Sequence, residues 1–129
     1  MDTNTTRPDL SYAVSVLARR CAQPCERHFT LLKGVVRYLA GTQQTGITYT
    51  RSTGSLCSGP LVGYCDSDYG GCSDTRRSRG GFVFFLCGGP VAWSSRMQTA
   101  VAKSTAEAEY MSAAAAASMA VLLKRTAHF

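Results

Sequence analysis

Residues 61–97 read LVGYCDSDYGGCSDTRRSRGGFVFFLCGGPVAWSSRM, and this stretch decides the fold. Leu61 to Tyr64 open as a strand and run into Cys65-Asp66-Ser67-Asp68, which places carboxylates at the strand's end. A loop rich in glycine and arginine follows from Gly70 to Gly80. Phe82-Val83-Phe84-Phe85-Leu86-Cys87 is then a strongly strand-like run, β-branched and aromatic throughout much of its length. Gly88-Gly89-Pro90 turns the chain into Val91-Ala92-Trp93-Ser94, and two strands joined by so short a turn pair antiparallel. The expectation is a three-stranded antiparallel meander.

Downstream, Thr105-Ala106-Glu107-Ala108-Glu109 opens a helix that runs through the alanines at 113–117 to about Arg125. Ser104 or Thr105 is the expected N-cap, with acidic residues in the early turns where the helix dipole favours them. Met111, Ala114, Ala115, Val121 and Leu122 are the expected buried face, and small side chains there allow close approach to a sheet. Upstream, Leu10, Ala13, Val14, Leu17 and Cys21 recur at helical spacing, with Pro8 where a first-turn proline is tolerated. Pro24 interrupts the pattern; Phe29, Leu32, Val36 and Leu39 form a second stripe that Gly41 stops. Residues 47–50 have strand character, and 51–60, rich in Ser, Gly and Thr, is the expected linker. The fold class is therefore α/β, with a helical segment over 1–46 and a partial sheet-and-helix domain over 47–129. Three strands and one helix bury a single sheet face and leave an edge open, so part of that domain is expected to be missing.

With 129 residues the chain cannot hold a large enzyme with separate cofactor and substrate domains. Fourteen Lys plus Arg against eight Asp plus Glu give a net charge of +6, which favours a polyanionic partner. No apolar run approaches a membrane span, and the N-terminus lacks the apolar region of a signal peptide, so the expected location is intracellular, a cytoplasmic particle or the nucleus. The six cysteines form no CxxC pair and are expected to be small buried thiols. His28 and His128 are not expected to be catalytic. Neither a dinucleotide fingerprint, a Walker lysine motif nor a Ser-His-Asp or Cys-His arrangement is present.

On chemistry alone, Asp66 ends a strand and Glu109 lies in the helix after the hairpin, so a helix packed across the meander brings them together over the first strand. Oxygen donors of this kind suit magnesium or manganese. Two such ions about 3.5–4 Å apart activate water and stabilise the leaving oxygen in phosphodiester hydrolysis, a geometry that needs three or four carboxylates.

The strings themselves add to this. Gly63-Tyr64-Cys65-Asp66-Ser67-Asp68-Tyr69-Gly70-Gly71, Asp74-Thr75-Arg76-Arg77-Ser78, Gly81-Phe82-Val83-Phe84, Trp93-Ser94-Ser95 and Ser104-Thr105-Ala106-Glu107-Ala108-Glu109-Tyr110 closely resemble the ribonuclease H region of copia-type retrotransposon polyproteins. Thr6-Arg7-Pro8-Asp9-Leu10 and Leu32-Lys33-Gly34-Val35-Val36-Arg37-Tyr38-Leu39-Ala40-Gly41-Thr42 resemble the end of the reverse transcriptase portion that leads into it. The resemblance covers nearly the whole chain. It implies a truncated ribonuclease H-like fold preceded by a helical connection segment, with Asp66 and Glu109 as catalytic metal ligands for Mg2+ or Mn2+. It also implies a fourth strand with an Asp-Asn pair, a fifth strand and a last acidic ligand, none of which this sequence contains. Met119 stands where an acidic residue is usual and Leu122 where an aromatic is usual.

Asp68, Asp74 and Glu107 read more simply as turn capping, arginine pairing and helix-start electrostatics. Arg76, Arg77 and Arg79 are candidates for phosphate contacts that position a duplex without reading its sequence. Phe82, Phe84, Phe85, Trp93 and Tyr110 are expected in the core or half-buried. The implied function is that of a retrotransposon polyprotein fragment whose complete domain hydrolyses the RNA strand of RNA/DNA hybrids, the isolated chain being inactive. Its partners are a hybrid or other nucleic acid and the remainder of the polyprotein, with no membrane. The alternatives are a nonenzymatic basic nucleic-acid-binding remnant and an unstable, nonfunctional gene-prediction fragment.

Overall fold

The computed structural model describes residues 6–50 and 60–127. The chain divides into two compact units, Met1–Ile47 and Thr48–Phe129.

In the first unit a 3-10 turn at Pro8–Leu10 leads into α1, Ser11–Ala18, and α2 spans Glu26–Gly41. Pro8 sits in the first turn, where its missing N–H costs nothing. Cys25 is the N-cap of α2. Its N–H donates to His28 Nδ1 at 3.0 Å, which gives His28 a capping role. The two ends of this unit are tied by polar groups. Arg7 forks onto Asp9 with Nε to Oδ1 at 3.1 Å and Nη2 to Oδ2 at 2.8 Å, and Nη2 also donates to Thr42 Oγ1 at 2.7 Å. Tyr38 donates its hydroxyl to Asp9 Oδ2 at 2.9 Å. Leu10 is buried, but α2 buries none of its residues: Phe29, Leu32, Val36 and Leu39 are all exposed. Helical spacing of apolar residues predicts the helix correctly, yet among the described residues nothing covers that stripe.

In the second unit β1, Val62–Asp68, pairs antiparallel with β2, Arg79–Leu86, which pairs antiparallel with β3, Gly89–Met97. The order β1-β2-β3 is the expected meander. The β2–β3 turn has positive φ at Cys87 (52°) and Gly88 (79°), the primed geometry that matches strand twist and favours glycine. A register shift between Phe84 and Phe85 lets Pro90 sit in β3, at an irregularity on an edge strand where its missing donor is tolerated. Residues 47–50 form no strand. Thr50 N–H donates to Cys87 O at 2.7 Å and the Tyr49 hydroxyl to Pro90 O at 2.8 Å, so the segment lies against the hairpin turn. The linker proper lies outside the described residues.

A long helix, α3, spans Thr105–Ala127 and packs on β1 and β2. Its buried face is not the expected one. Ala108, Ser112 and Ala116, spaced by four, are buried, whereas Ala114, Ala115, Val121 and Leu122 are exposed and Met111 is half-buried. The physical reason is Gly80. A Cβ there would collide with Ser112 Oγ, so glycine below and serine above let the helix backbone settle close to β2. The larger residues are turned outward. Tyr110 is likewise exposed, at 77%, rather than in the core or half-buried; Phe84 is buried and Phe82, Phe85 and Trp93 are half-buried, as expected.

The cysteine expectation holds for Cys72 alone. Cys21, Cys25 and Cys65 are exposed thiols, Cys87 is disulfide-bonded, and Cys57 lies outside the described residues. No helix of the described residues is long and apolar enough to cross a membrane.

Two predictions follow from these contacts. Gly80→Ala should lower stability by about 1–3 kcal/mol in urea unfolding, the range for overpacking a filled core; Gly81→Ala, whose Cβ would meet only Ser94 O at 3.4 Å, should cost less. The second concerns Asp9, whose carboxyl is held from 3.8 down to about 2 chiefly by its hydrogen bonds from Arg7. A depressed carboxyl stabilises the fold above its ordinary value and loses that contribution as pH falls through 3.8 toward about 2. Asp9→Asn should therefore destabilise the helical unit at neutral pH, by less than about 1 kcal/mol because the pair faces solvent, with the difference vanishing at the acid end.

Candidate acidic site and its basic rim

The start of α3 is fixed by its own side chains. Ser104 Oγ accepts the N–H of Glu107 at 3.1 Å, which makes Ser104 the N-cap. Glu107 Oε2 accepts the N–H of Lys103 at 2.6 Å, so its carboxylate serves the helix start. The Tyr69 hydroxyl donates to Lys103 O at 3.2 Å and joins the end of β1 to this same corner. Gln98, just past β3, donates from Nε2 to Ala108 O at 2.8 Å.

These ties position Glu109. Its Oε1 accepts the backbone N–H of Ser67 at 3.3 Å, so its carboxylate lies against β1 immediately beside Asp66. Asp66, fifth of the seven residues of β1, is exposed. β1 is an edge strand, where backbone groups on the open side lack a pairing strand, and Glu109 supplies one of its amides with an acceptor. The meander and helix thus set the Glu109 carboxylate against the β1 backbone at the residue after Asp66.

The other acids are committed to local structure. Asp68 Oδ1 accepts the Arg79 N–H, closing the mouth of the β1–β2 connection. Asp74 Oδ1 accepts from Ser73 Oγ at 3.1 Å. Among the described residues no three His, Cys, Asp or Glu side chains are grouped so as to hold a metal ion. Asp66 and Glu109 remain a pair of hard oxygen donors. Such a pair suits an ion that keeps several waters and takes its remaining oxygens from phosphate.

The basic rim divides. Arg79 is buried, at 7% exposure, and its Nη1 donates to Ser95 O at 3.4 Å, so it belongs to the sheet and is not placed for phosphate contact. Its position opposite Asp68 at the start of β2 draws it inward. Arg76 and Arg77 are exposed. They are carried on a loop held by Arg76 N–H to Cys72 O at 2.8 Å, Cys72 N–H to Arg77 O at 3.2 Å and Gly70 N–H to the fully buried Ser78 hydroxyl at 3.0 Å. Arg76 has φ +56°, an uncommon conformation for a residue with a Cβ. Arg96 and Lys103 are exposed on the same unit. Ser78, Gln98 and Ser112 are residues that sequence pattern does not single out; their only signal is a small or amide side chain flanking the glycines and the hairpin exit.

An antiparallel meander followed by a helix across it, with an acid on the first strand and another on the helix, is the α/β arrangement of ribonuclease H-like domains. Similarity to known proteins agrees. The chain is 39% identical over 125 residues to the retrovirus-related Pol polyprotein from transposon TNT 1-94 of Nicotiana tabacum, covering 93% of this chain and 9% of that polyprotein. It is 40% identical over 111 residues to the putative transposon Ty5-1 protein YCL074W of Saccharomyces cerevisiae, 85% of this chain and 35% of that one. It is also 45% identical over 118 residues to Secreted RxLR effector protein 161 of Plasmopara viticola, covering 92% of this chain and 80% of the relative. The chain belongs to the retrotransposon Pol-polyprotein family. No protein-family model matches it, and no solved structure does.

Replacing Arg76 and Arg77 together by alanine should weaken binding to a nucleic-acid duplex and flatten its salt dependence. The slope of log K against log salt should fall by up to about 2, since each phosphate contact contributes about 0.9 on B-form DNA. An unchanged slope would remove both residues from the phosphate contacts.

Proposed function

We propose that the chain is a copia-type retroelement segment that carries the first part of a ribonuclease H active site. In the complete domain Asp66 and Glu109 would hold Mg2+ or Mn2+ for hydrolysis of the RNA strand of RNA/DNA hybrids. The observation that supports this reading is the Ser67 N–H to Glu109 Oε1 hydrogen bond of 3.3 Å, which ties the helix acid to the residue after the strand acid. The metal supplies water activation and stabilisation of the leaving oxygen when bound. Asp66 offers an exposed carboxylate from a strand held in register by β2, and Glu109 is oriented by the capped start of α3. Arg76 and Arg77 position phosphates from the neighbouring loop. Two carboxylates fall short of a two-ion clamp, whose transition-state stabilisation is mainly electrostatic. The isolated chain is accordingly proposed to bind nucleic acid without cleaving it.

A second reading is a nonenzymatic nucleic-acid binder, favoured by exposed cations on the sheet-and-helix unit, Arg76, Arg77, Arg96 and Lys103 among them.

The test is cleavage of a labelled RNA/DNA hybrid by the purified, folded chain across magnesium and manganese titrations, run beside Asp66→Asn. The expected result is no metal-dependent cleavage, with duplex binding equal in the two proteins and unchanged by chelator. Cleavage that Asp66→Asn abolishes would contradict the inactivity and leave the assignment of Asp66 standing. Absence of duplex binding would overturn the nucleic-acid reading.

A further inference from the structure

In the helical unit, the α2 stripe of Phe29, Leu32, Val36 and Leu39 is 39 to 56% exposed and recurs at alternating three- and four-residue steps. That spacing is the seam along which one helix packs on another, and a contiguous exposed apolar patch with a polar border marks an interaction surface. Phe29, Leu32 and Val36 form the floor of an open groove of about 380 Å3, and Lys33 and Arg37 form its rim.

The rim has one sign. Lys33 and Arg37 lie one turn apart, both are exposed, and among the described residues no carboxylate pairs with either. Glu26, the acid of α2, sits in the first turn, about two turns from Lys33. These charges select among occupants. Two copies of α2 laid antiparallel would set the cations of one against those of the other, and laid parallel would leave them opposite Val35, so pairing with itself is opposed or unrewarded. A helix that lies on an anionic membrane has a cationic polar face behind its apolar one, whereas α2 has Leu31 and Tyr38 on its far side, the latter bonded to Asp9. A nucleic-acid duplex satisfies the cations through its phosphates and offers nothing apolar to cover the stripe.

We propose that this surface binds an acidic amphipathic helix of a partner protein, its apolar side chains seated on Phe29, Leu32, Val36 and Leu39 and its Asp or Glu side chains, along one flank, reaching Lys33 and Arg37. A helix is the form that fits, because a straight stripe along a helix of 16 residues meets the same three- and four-residue spacing on a facing helix. The surface is independent of the acidic pair, of any metal ion and of hybrid cleavage.

The test is titration of the full chain with a synthetic leucine–glutamate helix, its leucines in heptad positions and its glutamates beside them, followed by chemical-shift changes at the Leu32, Lys33, Val36 and Arg37 amides. The comparison probes are the same helix with glutamine for glutamate, a scrambled peptide of equal composition, vesicles containing phosphatidylserine, and an RNA/DNA hybrid. Saturable binding of the acidic helix is expected. Glutamine for glutamate should weaken it about three- to tenfold, as should Lys33→Ala with Arg37→Ala, the combined effect of two rim ion pairs. Leu32→Ala with Val36→Ala should weaken it about tenfold or more. Both double variants put alanine on an exposed helix face, which helix propensity favours, so circular dichroism should show α2 intact. Equal binding of the glutamine or scrambled peptide, no shift at the α2 amides, or vesicles or the hybrid producing those shifts where the acidic helix does not would overturn the proposal. Self-association of the chain that shifts the same amides would overturn it in favour of a second copy.

Discussion

The sheet-and-helix unit depends on how closely α3 can approach β2. The contact is made by absence of side chain: Gly80 has none, Ala108, Ser112 and Ala116 have little, and a single added methyl at Gly80 would strike Ser112 Oγ. Small residues on the helix face contribute less apolar area than leucines would, and dispersion across a tight contact offsets part of that loss. Gln98 clasps the same turn of the helix through Ala108 O, so a polar tie and a close approach coincide. Everything functional in this unit follows from that seat. Glu109 reaches β1 because its neighbour Ala108 is fully buried against the sheet.

The acidic corner shows how one sequence segment is divided between architecture and chemistry. Of the acids gathered around the β1–β2 connection and the start of α3, Asp68, Glu107 and Glu109 each accept a backbone N–H, the first two at the ends of their own elements and Glu109 across from α3 to β1. Asp66 and Glu109 are the pair that the fold brings to the exposed edge. A comparable division holds among the arginines, where Arg79 serves the sheet and Arg76 and Arg77 face solvent. In the helical unit, Arg7, Asp9, Tyr38 and Thr42 form one polar knot. The strings at residues 6–10 and 32–42 each supply half of the knot.

The meander was legible in the sequence because its strands are short and separated by glycine, and because a turn as short as the expected Gly88-Gly89-Pro90 leaves antiparallel pairing as the outcome; the turn itself is one step earlier, at Cys87-Gly88. The cap at Ser104 was legible for the same local reasons. The buried face of α3 was not. Periodicity ranks residues by apolarity, whereas the packing here selects by size, so Ser112 is buried and Leu122 is exposed. Arg79 was misplaced because its sequence neighbours are solvent-facing and nothing in the string shows that β2 already begins there. The stripe on α2 illustrates the converse, since amphipathic spacing specifies a helix and leaves open what covers it.

The central claim is that Glu109 is held on β1 by the seating of α3, and residue-resolved amide hydrogen exchange of the whole chain tests it most directly. The Ser67 amide, on an edge strand, should exchange nearly as slowly as the β2 amides and speed up in Glu109→Ala while β2 stays protected. Ser67 exchanging at the rate of an unstructured amide in the parent chain, or unchanged in Glu109→Ala, would contradict the account.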